Sequence, residues 1–319
     1  MKKILITGCA GFIGFHVSRS LLEKKNIVIG IDIINNYYSI KLKKNRLKIL
    51  SQYKNFYFKK TNISNFKSLK NIFSKYKFDI IINLAAQAGV GYSMKYPEHY
   101  FNSNIQGFFN ICYLAKQHKV KKIIYASSSS VYGDSKKLPV KESYNTNPLN
   151  YYAITKENNE KTANFFSKIC KTKFIGLRFF SIYGTFGRPD MLIYKILNCY
   201  EKKKIFYLNN YGKHTRDFTF IDDVVSIIVK LKQKPIKKDH EIFNISNTKK
   251  IKLTKLIDLM KQYHIKPLIK KRGFQIGDIK DACGSNVKIK NFLHIQKFTS
   301  FEVGIKKTLN WYKNNKDKI

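Results

Sequence analysis

Short apolar runs bounded by glycine or polar residues alternate along this chain with longer stretches whose apolar residues recur every three or four positions. The first pattern predicts buried strands and the second predicts amphipathic helices. Lys2–Thr7 reads as a strand, Phe12–Lys24 as a helix and Asn26–Ile31 as a second strand. Asn55–Lys59 and Asp79–Leu84 predict further parallel strands, with a helix over Phe66–Tyr76 between them. Helices over His99–His118 and Asn150–Cys170 flank a strand at Lys121–Ser127, and Phe174–Phe179 closes the parallel set. This rhythm predicts an α/β fold, a doubly wound parallel sheet. After Ser181 the elements become shorter and mixed. Helices are expected near Met191–Lys202, Ile221–Gln233, Thr254–Tyr263 and Phe301–Tyr312, with a strand at Ile205–Tyr207. The expected organisation is a dinucleotide-binding domain over 1–180, joined by part of 217–246, and a smaller mixed α/β substrate-binding lobe over 181–319.

Composition changes this picture little. With 319 residues and 44% hydrophobic content the chain can bury a sizeable core. The net charge of +41 would suit a polyanion. Its lysines are spread over the whole length, as in Lys43-Lys44, Lys121-Lys122 and Lys270-Lys271, rather than gathered on one helix or tail. A solvated basic surface is therefore the reading, not a specific nucleic-acid site. Five scattered cysteines without C-x-x-C spacing predict neither a disulfide framework nor a metal site. No apolar run reaches the roughly 18–20 residues of a spanning helix. Gly8, Gly11 and Gly14 interrupt the apolar start, so it is not read as a secretory signal, and a cytoplasmic location is expected.

The chemistry begins at Gly8-x-x-Gly11-x-x-Gly14, which follows a predicted strand and opens a predicted helix. In that context Gly8 permits a tight turn, Gly11 admits a pyrophosphate and Gly14 packs helix on strand, as in a Rossmann-type fold. Cys9 occupies a variable position and carries no assigned role. Asp32, eighteen residues beyond Gly14, stands where a carboxylate accepts from ribose hydroxyls and disfavours a 2′-phosphate, so NAD is the expected cofactor. Tyr152 and Lys156 lie one helical turn apart, where a cation and a nicotinamide ring together favour a phenolate. The serines 127–130 end a strand two dozen residues earlier, at the sheet edge where ligands bind. Ser128, Tyr152 and Lys156 are thus the catalytic candidates, with Tyr152 preferred over Tyr151 by its spacing to Lys156.

These motifs, with Asp32-Ile-Ile-Asn-Asn-Tyr37-Tyr38, Leu42-Lys43, Asn83-Leu-Ala-Ala-Gln-Ala-Gly89-Val90, Arg178-Phe-Phe-Ser181, Gly187-Arg188-Pro189-Asp190-Met191 and Arg216-Asp217-Phe218, give the chain a resemblance to a known family. It resembles, over nearly its whole length, the extended short-chain dehydrogenase/reductases that epimerise or dehydrate nucleotide sugars. Within them it is most similar to the UDP-glucuronate 4-epimerase group. The resemblance implies tightly bound NAD, a UDP-sugar substrate and a homodimer paired through the helices near 99–118 and 150–170. It implies a reaction in which Tyr152 takes the proton from the 4-hydroxyl, a 4-keto sugar turns over, and hydride returns to its other face. It assigns cofactor contacts to Phe12, Ile13, Asn62, Ile63, Leu84, Ala85, Ala86 and Asn104. Substrate contacts fall on Ser127, Ser129, Ser181, Arg188, Arg216 and Asp278: Ser127 and Ser181 near a carboxylate, Arg216 at the diphosphate or ribose, Arg188 at the uracil or carboxylate.

The chain also departs from the group's pattern. Ser129-Ser130 stand where dehydratases carry Asp-Glu, which argues against water elimination. Gly91 occupies an arginine position, Ile33 an asparagine position and Asn62 an aspartate position. The alternatives are a 4-epimerase of UDP-glucose or UDP-N-acetylglucosamine and a UDP-glucuronate decarboxylase, the latter because a 4-keto uronate is a β-keto acid. A catalytically silent NAD-binding regulator is disfavoured by the intact Tyr-Lys pair.

Overall fold

The computed structural model describes residues 2–274 and 279–316. Its centre is a seven-stranded, all-parallel sheet in the order β3-β2-β1-β4-β5-β6-β10. The strands are β1 (Lys3–Thr7), β2 (Ile27–Asp32), β3 (Phe56–Lys60), β4 (Ile80–Asn83), β5 (Lys122–Ser128), β6 (Lys173–Phe179) and β10 (His240–Ile245). β1 and β4 read KILIT and IIIN, apolar on both faces, as strands covered by helices on either side must be. Neighbouring residues divide accordingly: Ile4 and Ile6 join one core cluster and Leu5 the other. Helices α1 (Phe12–Glu23), α2 (Ile40–Leu50) and α9 (Ile221–Gln233) contribute Phe15, Leu42 and Val224 to the first. Helices α3 (Phe66–Lys75), α6 (Gly107–Gln117) and α7 (Tyr151–Ile169) contribute Leu69, Ile111 and Phe166 to the second. Each such side chain contributes roughly 1.5–3 kcal/mol on burial, so apolar packing rather than any polar contact fixes the layers.

Two expectations are corrected. Phe174–Phe179 does not close the parallel set: β10 pairs beyond it, from His240 opposite Phe174 to Ile245 opposite Phe179. The crossover through α9 brings this late segment back to the sheet, a long-range pairing that local periodicity does not reveal. The helix expected over His99–His118 is also not uniform. It starts as α5 (Pro97–Tyr100), widens into a π-helical segment at Phe101–Gln106 and continues as α6. The widened turn carries Asn104, whose amide is bonded to Gln87 and Thr155, and such bulges gather where a side chain must reach a specific partner.

The remaining elements lie outside the seven-stranded sheet. β7 (Ser181–Tyr183), β9 (Thr215–Phe220) and β11 (Lys250–Lys252) form a three-stranded sheet, and β8 (Phe206–Leu208) pairs with β12 (Ile269–Lys271). α4 (Val90–Lys95), α8 (Leu192–Glu201), α10 (Leu253–Gln262), α11 (Val287–Leu293) and α12 (Phe301–Asn314) complete the chain. All five cysteines are free. Among the described residues no helix is long and apolar enough to cross a membrane, and no cluster of side chains is suited to a metal.

Candidate active site

The site opens where β1 lies between β2 and β4, so that the connections from β1 and β4 leave in opposite directions and a crevice forms. Thr7 braces this point. Its hydroxyl donates to Asn83 Oδ1 at 2.7 Å and accepts from the amides of Leu84 and Ala85 at 3.1 and 3.0 Å. The segment after β4 is thereby drawn against the turn after β1. Gly8 has φ +71°, and a Cβ there would stand 2.8 Å from the Ala85 nitrogen. A Cβ at Gly14 would stand 2.0 Å from the Gly8 carbonyl oxygen. Only glycine fits either position.

This cradle suits a dinucleotide. Helix α1 begins at Gly11 with no side-chain cap and no acidic residue in its first turn, which leaves its terminal amides and dipole to an anion. Asp32 at the end of β2 is held with its carboxylate accepting from the amides of Ala10 (3.1 Å) and Ile34 (2.9 Å). A cavity of about 270 Å³ runs from Asp32 past the glycines to Ser128, Tyr152 and Lys156. Phe12, Ile13, Asn62, Ile63, Leu84, Ala85 and Ala86 line it as well.

At the catalytic end, α7 is started by Asn150, whose side chain caps the amide of Ala153 at 3.0 Å. This sets Tyr152 and Lys156 on the turn facing the end of β5. Lys156 is buried and its Nζ donates to the Ala126 carbonyl at 2.9 Å, 5.9 Å from the centroid of the Tyr152 ring. Burial lowers the Lys156 ammonium to about 8. Burial also raises the Tyr152 phenol above its ordinary value, against the opposing pull of a hydrogen bond from Ser128 and the charge of Arg188.

The expected substrate residues divide. Arg188 lines the cavity, its guanidinium forked on the Asp190 carboxylate. Ser127 lies at the wall, but its hydroxyl is turned into a buried network. It donates to Glu160 Oε1 at 2.6 Å, and Glu160 receives both Nε and a terminal nitrogen of Arg178 at 2.8 and 2.7 Å. Ser129 stands in the short 3₁₀ turn Ser129–Tyr132, and Ser181 opens β7; neither is among the cavity's lining. Arg216, on β9, donates to the carbonyls of Thr215 and Lys280 and is likewise away from the lining. Asn104 sits behind the wall. It accepts from the Gln87 amide at 2.8 Å and donates to Thr155 at 3.0 Å, and so positions the segment after β4 without lining the cavity. Asp278 lies outside the described residues.

The cavity also contains residues that spacing did not single out, among them Asn35, Tyr37, Tyr38 and Lys43. Lys43 is almost fully buried, with Nζ donating to the carbonyl and side-chain oxygens of Asn35 at 2.7 and 2.6 Å, and burial lowers it to about 8. Their one sequence signal was the tyrosine-rich segment followed by Leu42-Lys43, informative only through resemblance.

Comparison with known proteins agrees with this geometry. Residues 4–246 match the NAD dependent epimerase/dehydratase family. The chain is 36% identical to a UDP-glucuronate 4-epimerase of Thermodesulfobacterium geofontis, over 99% of this chain and 97% of that one. It is 33% identical to UDP-glucuronate 4-epimerase 2 of Arabidopsis thaliana, covering 97% of this chain and 75% of the relative. Among solved structures, the UDP-glucuronic acid 4-epimerase of Bacillus cereus in complex with UDP-glucuronic acid and NAD superposes with a TM-score of 0.90 at 28% identity, over 98% of this chain and 99% of the other. With a glycine cradle, a ribose-side carboxylate and a Ser-Tyr-Lys group on one cavity, the chain belongs to the NAD dependent epimerase/dehydratase family.

Proposed function

We propose that this protein is a nucleotide-sugar 4-epimerase that interconverts UDP-glucuronate and UDP-galacturonate. The observation that carries the reading is that Ser128, Tyr152 and Lys156 line the same cavity as the Gly8–Gly14 cradle and Asp32. The UDP-glucuronate 4-epimerases named above add the substrate class. NAD, when bound, supplies a hydride acceptor beside carbon 4 of the sugar. Tyr152 Oη takes the proton of the 4-hydroxyl and later returns one to the opposite configuration. Ser128 hydrogen-bonds the same oxygen, and the Lys156 cation, anchored on Ala126, favours the phenolate that this exchange requires. Hydride leaves and re-enters the same carbon, so the sugar's overall oxidation state is unchanged.

Gly8, Gly11, Phe12, Ile13, Gly14, Asp32, Asn62, Ile63, Leu84, Ala85 and Ala86 are the residues assigned to NAD. Arg188 is assigned to the UDP-sugar. The chain is read as a cytoplasmic homodimer. Phe109 and Tyr113 on α6 and Phe165 and Ile169 on α7 are exposed apolar side chains on neighbouring helices, the kind of surface a second copy would cover. Light scattering on the purified protein tests that assembly.

A second reading, an epimerase of a neutral or N-acetylated UDP-hexose, is favoured by Gly91. Glycine supplies no side chain at the position where the resemblance expects an arginine, although a Cβ there would meet nothing within 4 Å. Incubation of the protein separately with UDP-glucuronate, UDP-glucose and UDP-N-acetylglucosamine, with products resolved by proton NMR, decides between them. UDP-galacturonate from the first is the expected product. Turnover of the neutral sugars alone overturns the uronate assignment, and a UDP-pentose with carbon dioxide would mark a decarboxylase.

A further inference from the structure

Three segments far apart in sequence converge over the cavity. Tyr37 stands between β2 and α2, Tyr92 on α4, and Arg188 with Asp190 between β7 and α8. Tyr37 Oη donates to Asp190 Oδ2 at 3.3 Å. Asp190 in turn receives Arg188 Nε at 2.9 Å and a terminal guanidinium nitrogen on its second oxygen. The Arg188 guanidinium carbon lies 5.6 and 5.8 Å from the ring centroids of Tyr37 and Tyr38, within cation–π range. Tyr92 packs edge-on against Tyr37 at 4.9 Å. The backbone makes room for this: Gly89 has φ +106°, and a Cβ there would stand 2.4 Å from Tyr37 Oη. Burial pushes the Tyr37 phenol up to about 12, which keeps it a donor at neutral pH. Burial also raises the Asp190 carboxyl, but the fork with Arg188 outweighs it and holds the group below its usual range, so the pair stays charged.

Tyr37 lies in the segment between β2, which ends in Asp32, and α2, Arg188 lies between β7 and α8, and both line the cavity. Their contacts join the two walls. An enzyme that returns the hydride it has removed has a particular need for such a joint. If the reduced dinucleotide escaped between the two half-reactions, a keto sugar would be stranded and the protein left without its oxidant. We propose that Tyr37 and Asp190 are positioning residues which, with Arg188, clasp the two walls of the cavity together and retain the dinucleotide through turnover. This inference rests on the epimerase reading for its purpose, but its geometry concerns the dinucleotide alone. The clasp must open to load NAD, so exchange of bound cofactor is slow in the wild type.

The test is the rate at which NAD leaves the loaded protein, followed by trapping released NAD with an excess of an NAD-hydrolysing enzyme and measuring what stays bound. Tyr37→Phe removes the hydroxyl that reaches Asp190, and Asp190→Asn removes the charge that holds Arg188. Each is expected to release NAD at least about tenfold faster than the wild type, Tyr37→Phe, which loses a single 3.3 Å hydrogen bond, at an unchanged melting temperature. Free 4-keto sugar and free reduced dinucleotide should accumulate during turnover in proportion. If Asp190→Asn does not fold, Tyr37→Phe decides alone. Release within twofold of the wild type in folded Tyr37→Phe overturns the proposal. If release accelerates while the wild type fails to turn over UDP-glucuronate, the clasp stands and the substrate assignment falls.

Discussion

The two walls of the cavity are fixed in different ways. On the glycine side, position is enforced by backbone against backbone: Gly14 is packed on the Gly8 carbonyl, and Gly8 on the Ala85 nitrogen. On the arginine side, position is enforced by side chains borrowed from distant segments, Arg188 by Asp190, Tyr37 and Tyr38, and Ser127 by Glu160 and Arg178. Backbone packing leaves a spacing rule in the sequence, because the clash recurs wherever a helix follows a strand this closely. Side-chain packing leaves none, because 150 residues can separate the partners. The first wall should therefore be intolerant of any added atom, and the second sensitive to the loss of one partner.

Gly14→Ala probes the first wall most severely. The new methyl would lie 2.0 Å from a carbonyl oxygen that belongs to the same turn and has no rotamer with which to move aside. Overpacking against movable side chains costs about 1–3 kcal/mol, and here the loss should exceed about 4 kcal/mol, among the largest single-site effects. The expected result is protein without a cooperative unfolding transition and without bound NAD, by circular dichroism and absorbance of the extracted cofactor. A folded, NAD-loaded variant would mean that the strand-to-helix turn can open to admit a methyl group.

Tyr152→Phe, between the two walls, should leave the fold and the bound NAD intact while lowering turnover of UDP-glucuronate by roughly 10³-fold, within the range for loss of a general base. Residual activity within tenfold of the wild type, measured by NMR, would move the base to another group.

The contrast also explains what could be read before any coordinates. The β1–α1 turn, Asp32 and the Tyr152–Lys156 pair were legible because each is a local spacing on a regular element. Thr155, one residue before Lys156, shows the limit. Its hydroxyl receives the Asn104 amide, and Asn104, on the π-helical turn, is held by this contact and by Gln87 rather than lining the cavity. Arg216 was placed at the substrate by resemblance, whereas β9 holds it against the carbonyls of Thr215 and Lys280. β10 was expected only as an unspecified part of 217–246 joining the first domain, because a seventh parallel strand is defined by pairing with β6 rather than by its own pattern.

Glu160→Gln tests the arginine side. Glu160 and Arg178 are about 5–7% exposed, and the glutamine would leave a buried guanidinium without its counter-charge. Breaking one partner of a buried pair costs about 3–5 kcal/mol, so the denaturant midpoint should fall accordingly. Because Ser127 also loses a charged acceptor, kcat should decline further than the unfolded fraction explains. A loss under about 1 kcal/mol would mean that the buried network is no more than a solvated contact.

Asp217 combines both modes, since a side chain there holds backbone. Its buried carboxylate accepts from the amides of Asn247 (2.8 Å), Thr248 (3.0 Å) and Gly284 (3.1 Å), fastening two loops to β9. Burial is the dominant influence and raises the carboxyl to about 7, the three amide hydrogen bonds pulling the other way. In the unfolded chain the same group titrates near 4. Between those values the native state holds a proton that the unfolded state has released, so this residue's contribution falls as pH rises from about 4 to about 7, by up to ~1.4 kcal/mol per unit, and is constant above that window. Asp217→Asn keeps an acceptor oxygen and removes the titration. The difference in unfolding free energy between wild type and variant should therefore drift by a few kcal/mol across the window, with the wild type relatively better at the acid end. A difference that stays flat from pH 4 to 7 would show that the amides, rather than burial, govern this carboxylate, and that even side-chain fastening around β9 is ruled by the backbone.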